Sequence, residues 1–273
     1  MIYFFADDHY GTHAGRCLYG QLPMELRRRV VFTENDWDLL ESERWVDDCE
    51  LLILHCIAGT CGQPLPGDGA ETAVKAYLAR GGNVLLLHGS SAAFWHWPWW
   101  RRIVGLRWVR ENDPDGATPS THPHAPCRVE TVPSEHPLSK ALMPFDLEED
   151  EVYINLQKEG PMTVLMTTEV DGKRYPQCFE AQTSSGSRMV SFLPGHREAN
   201  VRNPALVANV ATLVRDLAGS ETRDWDQRSK SRRGTRDQRP EARDQTWDVR
   251  RESRDQTWDV RLESRRGTLT FNL

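Results

Sequence analysis

Up to Gly219, short apolar runs alternate with stretches whose apolar residues recur at helical spacing. That pattern predicts a parallel sheet covered by helices. IYFFA at 2–6 reads as a first strand, ELRRRVVFT leads into a second around 29–33, and CELLILHCI at 49–57 is a third. The third is apolar nearly throughout, as a strand buried on both faces must be. GAETAVKAYLARGG at 69–82 predicts a helix with Ala73, Val74, Tyr77 and Leu78 on one side and a glycine pair suited to a left-handed cap. NVLLL at 83–87 is the fourth strand, and an aromatic helix is expected after it. CRVETV, EVYINL, TVLMTT and RMVSFL read as further strands. NPALVANVATLVRDLAG at 203–219 is a closing helix with proline in its first turn and glycine at its end.

From residue 220 the pattern stops. RDQTWDVR occurs at 243–250 and again at 254–261, and SRRGT at 231–235 and 264–268. Such repeats carry almost no aliphatic residues and cannot bury enough surface to offset ordering entropy. The expected organisation is therefore a folded domain at 1–219 and a disordered Arg/Asp-rich tail at 220–273. An interaction arm anchored by Trp225, Trp247 and Trp258 is the alternative for the tail.

Charge supports the division. The chain has 34 basic and 40 acidic residues; 14 and 11 of them follow position 220, which leaves the body with 20 against 29. An acidic body lacks the cationic surface that phosphate binding needs, so no nucleic-acid partner is expected. The six cysteines form no C-x-x-C pair, and the opening MIYFF reaches Asp7 at once, too short for a signal sequence. No segment approaches the roughly 20 apolar residues of a membrane helix. A reduced, cytoplasmic protein with no membrane partner is expected.

The fourth strand ends on His88, followed by Gly89, Ser90 and Ser91, and four tryptophans fall between Trp95 and Trp100. In open α/β sheets ligands bind at the carboxyl ends of strands. His88 stands where a side chain can act on a ligand, though a histidine satisfied by nearby backbone would look the same. Phe94, Trp97, Trp100 and Ile103 fall at helical spacing and are expected in the core. That leaves Trp95 or Trp99 to line a pocket.

Four segments in order resemble one family. LLHGSSAAFWHWPWWRRIVGLRWV is similar to the core of ThuA-like proteins, named for trehalose utilisation. EHPLSKALMPFDLEEDEVYINL (135–156) resembles that family's His-Pro stretch and Asp-Glu-x-Tyr strand. GSRMVSFLPGH (186–196) resembles its strand ending in Gly-His, and the closing helix also fits. The likeness covers roughly 1–219 and implies an α/β fold, flavodoxin-like and class I glutamine amidotransferase-like: a mostly parallel sheet with helices on both faces. Amidotransferases carry a cysteine nucleophile after the fourth strand, paired with a later His-x-Glu. Here His88 stands in that place, and no cysteine lies within twenty residues of it, whereas GHRE keeps His196 and Glu198 at the right spacing. Without a thiolate, glutaminase activity is not expected. Ser90 and Ser91 lie in no G-x-S-x-G elbow, so Ser90 is read as a substrate contact rather than a nucleophile.

The resemblance thus gathers His88, His196, Glu151, Tyr153 and Glu198 as catalytic candidates, with Trp95, Trp99, Asp150 and Ser90 as substrate-binding candidates. Within DEVY, Glu151 and Tyr153 would share one face and Asp150 would bind substrate or brace a neighbouring loop. Two imidazoles and a carboxylate suit proton transfer at neutral pH, and equally a divalent metal. The sequence leaves that choice, and so the cofactor, open. His9, His13, His122 and His124 could complete either arrangement or be ordinary loop histidines. The expected role is in carbohydrate metabolism, on trehalose-related disaccharides or their keto forms, with a homodimer plausible for the fold. The alternative is a non-catalytic small-molecule binding module, favoured by GLRWV, which lacks a second glycine, and by YPQCFEAQ in place of a Pro-Val-x-Trp-like stretch. For the domain boundary, a chain ending at Gly219 is expected to melt within about 2 °C of the full protein in a calorimetric scan. A larger drop would mean that the repeats pack on the body.

Overall fold

Two apolar layers, one on each side of a sheet, divide the inner strands residue by residue. The computed structural model describes residues 1–59, 62–113 and 115–219, so the expectation for 220–273 lies outside the described residues. In β1 (Ile2–Ala6), Ile2, Phe4 and Ala6 join one apolar cluster and Tyr3 and Phe5 the other. In β3 (Leu51–His55) and β4 (Asn83–Leu87), Leu51, Ile53, Leu85 and Leu87 go to the first cluster, and Leu52, Leu54, Val84 and Leu86 to the second. Successive side chains of a strand point to opposite faces, so a strand apolar at every position needs a cover on both sides. The helices Ala14–Gln21 and Pro204–Ala218 cover the first, and the helix Asp68–Ala79 with the segment around Trp37–Trp45 covers the second. Ala73, Val74, Tyr77 and Leu78 are buried in that second layer, as their spacing requires.

The main sheet adds β2 (Val30–Glu34), β6 (His124–Thr131), β7 (Phe145–Glu151), β9 (Met162–Val170), β10 (Lys173–Gln182) and β11 (Arg188–Phe192). Its order is β2-β1-β3-β4-β11-β10-β9-β6-β7. The five strands from β2 to β11 are mutually parallel, and every pairing from β11 to β7 is antiparallel. The parallel core is the predicted one; the antiparallel extension was not foreseen. A further ribbon pairs β5 (Leu106–Arg107) with β8 (Gln157–Lys158). No helix among the described residues is long and apolar enough to cross a membrane.

Three elements differ from expectation. The aromatic stretch is no single helix: a 3-10 turn spans His88–Ala92, Phe94 has φ 51°, and a short helix begins only at Pro98. Trp97, just before the proline, is extended, because the proline ring crowds the helical conformation of its predecessor. The burial pattern survives the break, with Phe94, Trp97 and Trp100 in the core and Ile103 packed against it. The strand placed at EVYINL lies earlier, at Phe145–Glu151. β10 shows no clean strand pattern in the sequence because Pro176 interrupts it, and its pairing with β9 slips on both sides of Cys178.

The loop that carries β5 to the site is fastened by one buried guanidinium. Arg107 donates to Glu159 Oε1 at 2.6 Å, Gln157 Oε1 at 2.7 Å and both carboxylate oxygens of Asp113. Removing a buried cation strands its carboxylates, so Arg107→Met is expected to cost about 3–5 kcal/mol in urea unfolding. A change below about 1 kcal/mol would show that water already reaches these carboxylates.

Candidate functional site

Four neighbouring parallel strands each deliver an imidazole at or just beyond their carboxyl ends. His9 follows β1, His55 ends β3, His88 follows β4 and His196 follows β11. All four are buried. His9 lies parallel to His88, with ring centroids 6.0 Å apart and planes 10° apart, and stacks with His55 at 5.8 Å. The His88 and His196 rings are 5.0 Å apart.

His88 sits in the left-handed region at φ 49°, on the sharp turn that leaves β4. Non-glycine residues held there store strain, which gathers at functional sites. Gly89 is needed next, because a Cβ there would meet Ile57 Cδ1 at 2.9 Å and Tyr153 Oη at 3.3 Å. His88 Nδ1 lies 3.0 Å from the Leu193 carbonyl and so carries the proton. Its Nε2 lone pair then faces Tyr153 Oη at 3.0 Å and His196 Nδ1 at 3.1 Å. The Glu151 carboxylate closes the group: Oε2 is 3.5 Å from His88 Nε2, and Oε1 is 3.5 Å from His196 Nε2, 3.2 Å from His122 Nδ1 and 3.4 Å from His124 Nε2.

Burial and neighbouring imidazoles keep His55, His88 and His196 neutral. Desolvation, then the neighbouring His9, His196 and His55, push the His88 pKa well below its usual value. His196 is brought to about 4 by burial, then by His9, Arg197, His124 and His122. Burial and His9 bring His55 to about 4 as well. Burial first, and then Glu151 and Asp150, push the Tyr153 phenol well above its usual value, so it keeps its proton. Neutral rings keep a lone pair that can accept a proton.

Two buried carboxylates hold the loops in place. Asp150 accepts from the Gly195 and His196 N–H groups at 2.7 and 3.1 Å and from its own neighbour Glu151 at 3.0 Å. Burial pushes it up to about 6 against the pull of those three donors. Asp7 accepts from Ile57 and Ala58 N–H at 3.0 and 2.8 Å and lies 2.5 Å from His9 Nδ1. Burial works to raise the Asp7 pKa, but the His9 contact and the two backbone bonds outweigh it, and the net shift is downward.

Of the residues singled out in the sequence, His88, His196, Glu151 and Tyr153 meet, and His9, His122 and His124 join them. The others lie elsewhere. Asp150 braces the His196 loop instead of facing a ligand. Ser90 Oγ accepts from Cys56 N–H at 2.9 Å and sits 2.9 and 2.7 Å from the Leu54 and Leu87 carbonyls, so its hydroxyl is taken up within the fold. Glu198 accepts from His13 N–H at 2.7 Å and does not pair with the His196 ring, while His13 turns to Glu34. Trp99 donates to Glu71 at 2.6 Å on the helix Asp68–Ala79, and Trp95 lies exposed under the Arg110 guanidinium. The ring at the site is Trp108, half-buried, 5.0 Å from Tyr153 and 5.5 Å from His122. His55, Asp7 and Trp108 were missed. LLILHCI held the signal for His55, since its histidine ends a buried strand just as His88 does.

Chemical groups at the carboxyl edge of a parallel sheet, with a strained residue on the turn after β4, are the arrangement of an open α/β protein whose site lies at its strand ends. The ThuA family, described as trehalose utilisation, matches residues 14–212, and the chain belongs to that family. Among solved structures, a ThuA-like protein from Parabacteroides merdae superposes with a TM-score of 0.62 at 16% identity, covering 77% of this chain and 87% of that one. A second, from Bacteroides uniformis, gives 0.58 at 15%, covering 80% and 91%. A cytoplasmic protein from Salmonella typhimurium gives 0.51 at 11%, covering 78% and 98%. At these identities the likeness speaks for the fold. Among curated proteins none matches the chain at a significant level.

An asparagine at 150 would set an amide N–H against the Gly195 N–H. Asp150→Asn is therefore expected to destabilise the protein by about 2 kcal/mol in denaturant unfolding. An unchanged midpoint would remove Asp150 as the brace of the His196 loop.

Proposed function

We propose that the chain processes a trehalose-related disaccharide, or the keto derivative of one, in the cytoplasm, by proton transfer at the mouth of the sheet. Membership of the trehalose-utilisation family supports a role in carbohydrate metabolism. The observation that carries the chemistry is the lone pair of His88 Nε2, within hydrogen-bond distance of both Tyr153 Oη and His196 Nδ1. A carbonyl on a sugar ring acidifies the adjacent C–H. A neutral imidazole can take that proton while an O–H donor holds the oxygen on which charge develops. His88 and His196 fill the first role and Tyr153 the second. Glu151 is placed to bind sugar hydroxyls, and Trp108 offers a flat apolar wall for the ring face. Histidine at position 88 supplies no thiolate, so glutamine hydrolysis forms no part of this reading.

The test is a thermal-shift series on the full chain with disaccharides and keto-disaccharides, paired with deuterium exchange at the carbon beside the carbonyl. A ligand at about 100 times its Kd adds about 2.7 kcal/mol, a rise of roughly 5–10 °C for a chain of this size. That rise, with exchange that vanishes in a folded His88→Asn variant, is the expected result. Equal stabilisation of both proteins without exchange would make the site a binding module, and no stabilisation by any sugar would end the substrate assignment.

A further inference from the structure

Glu151 has a second set of neighbours that the proton-transfer reading does not use. His122 Nδ1, His124 Nε2 and Glu151 each offer a donor atom, all within 4.8 Å of one another. We propose that these three residues form a binding site for one divalent transition-metal ion at the outer rim of the pocket. Zinc, manganese, iron and cobalt are the class that two imidazoles and a carboxylate select. Use of the ion on a sugar oxygen rests on the function proposed above; its binding does not.

Backbone register sets the arrangement. His124 on β6 stands directly opposite Glu151 on β7, and Thr121 bridges Ile154 just beyond. Directly opposed residues on an antiparallel pair share a face, and His122, two residues before His124 in an extended segment, points to the same side. The nitrogen-to-oxygen separations are 3.2 and 3.4 Å. A metal with bonds of about 2.1 Å has ligand edges of roughly 3.0 Å at right angles and 3.4 Å at the tetrahedral angle. Both imidazole nitrogens therefore stand from the Glu151 oxygen at the spacing of one coordination shell, and all three donors lie within 4.8 Å of one another.

The second neighbour of His124 completes the argument. Glu149 Oε1 lies 3.0 Å from His124 Nδ1, which places the proton there and leaves Nε2 bare toward Glu151. A carboxylate behind a histidine is the usual support of a metal-bound imidazole. The inner trio of His88, His196 and Glu151 has similar spacing, but its His88 lone pair already faces Tyr153 and His196, and the ring is buried. His122 and His124 are half open to solvent, with side chains 48% and 38% exposed. An ion can enter there and keep coordination positions free for a carbonyl or hydroxyl oxygen, which it would polarise as a Lewis acid next to the proton-transferring pair.

The test is a Co²⁺ titration of the full chain after chelator treatment, read by the visible ligand-field bands and reversed by Zn²⁺. One Co²⁺ per chain is expected. Binding should be lost in the His122→Ala/His124→Ala double variant, weakened about 10-fold in Glu149→Gln and retained in His88→Asn, with each fold checked by circular dichroism. Loss in His88→Asn with retention in the double variant would move the ion to the inner trio and overturn the assignment, as would a wild-type chain that binds no Co²⁺. Because the readout needs no sugar, Co²⁺ binding without any sugar effect would leave the metal site standing and remove only the substrate.

Discussion

A strand buried on both faces can carry polar chemistry only at its ends, and most of this molecule follows from that constraint. β1, β3, β4 and β11 give every interior position to one or other apolar layer, except Ser191, a small buried polar side chain on β11. Their histidines therefore collect at one edge, where the chain turns away. The parallel direction of the four strands puts all four rings on the same edge, and the 4.7–4.9 Å spacing of neighbouring strands makes ring centroids 5–6 Å apart the natural result. The antiparallel extension adds the acid: β7 ends on Glu151 beside that edge, and β6 opposes it with His124.

Crowding imidazoles in this way has an electrostatic consequence. His55, His88 and His196 are destabilised as cations by burial and by their neighbours, so these three rings stay neutral and keep their lone pairs. The two buried carboxylates beside it are spent largely on backbone: Asp150 on the Gly195–His196 turn, Asp7 on the Ile57–Ala58 turn and His9. They fix the loops that carry the rings, while Glu151 faces inner and outer histidines together. One oxygen serves His88 and the other serves His196, His122 and His124, so proton transfer and metal binding meet on a single side chain.

How much of this could be read from the chain depends on range. His88 was legible because a buried strand visibly stops at it. His55 obeyed the same rule and was passed over only because CELLILHCI continues apolar beyond it. The His-x-Glu spacing that the resemblance points to is present, but the loop after Gly195 turns the Glu198 carboxylate onto the His13 N–H. Trp95 and Trp99 would line a pocket only on a continuous aromatic helix, and the segment is broken at Phe94 and Pro98. Once broken, the segment sends Trp99 to Glu71, and Trp108, much later in the chain, supplies the ring.

The sequence by itself determined the layered parallel core, its strand ends and the family, because period-two and helical spacing are local properties and burial follows from them. Tertiary structure decided which polar groups meet. Residues 9, 55, 88, 122, 124, 151 and 196 come together through strand order and cross-strand register, and no local pattern encodes a register between segments so far apart.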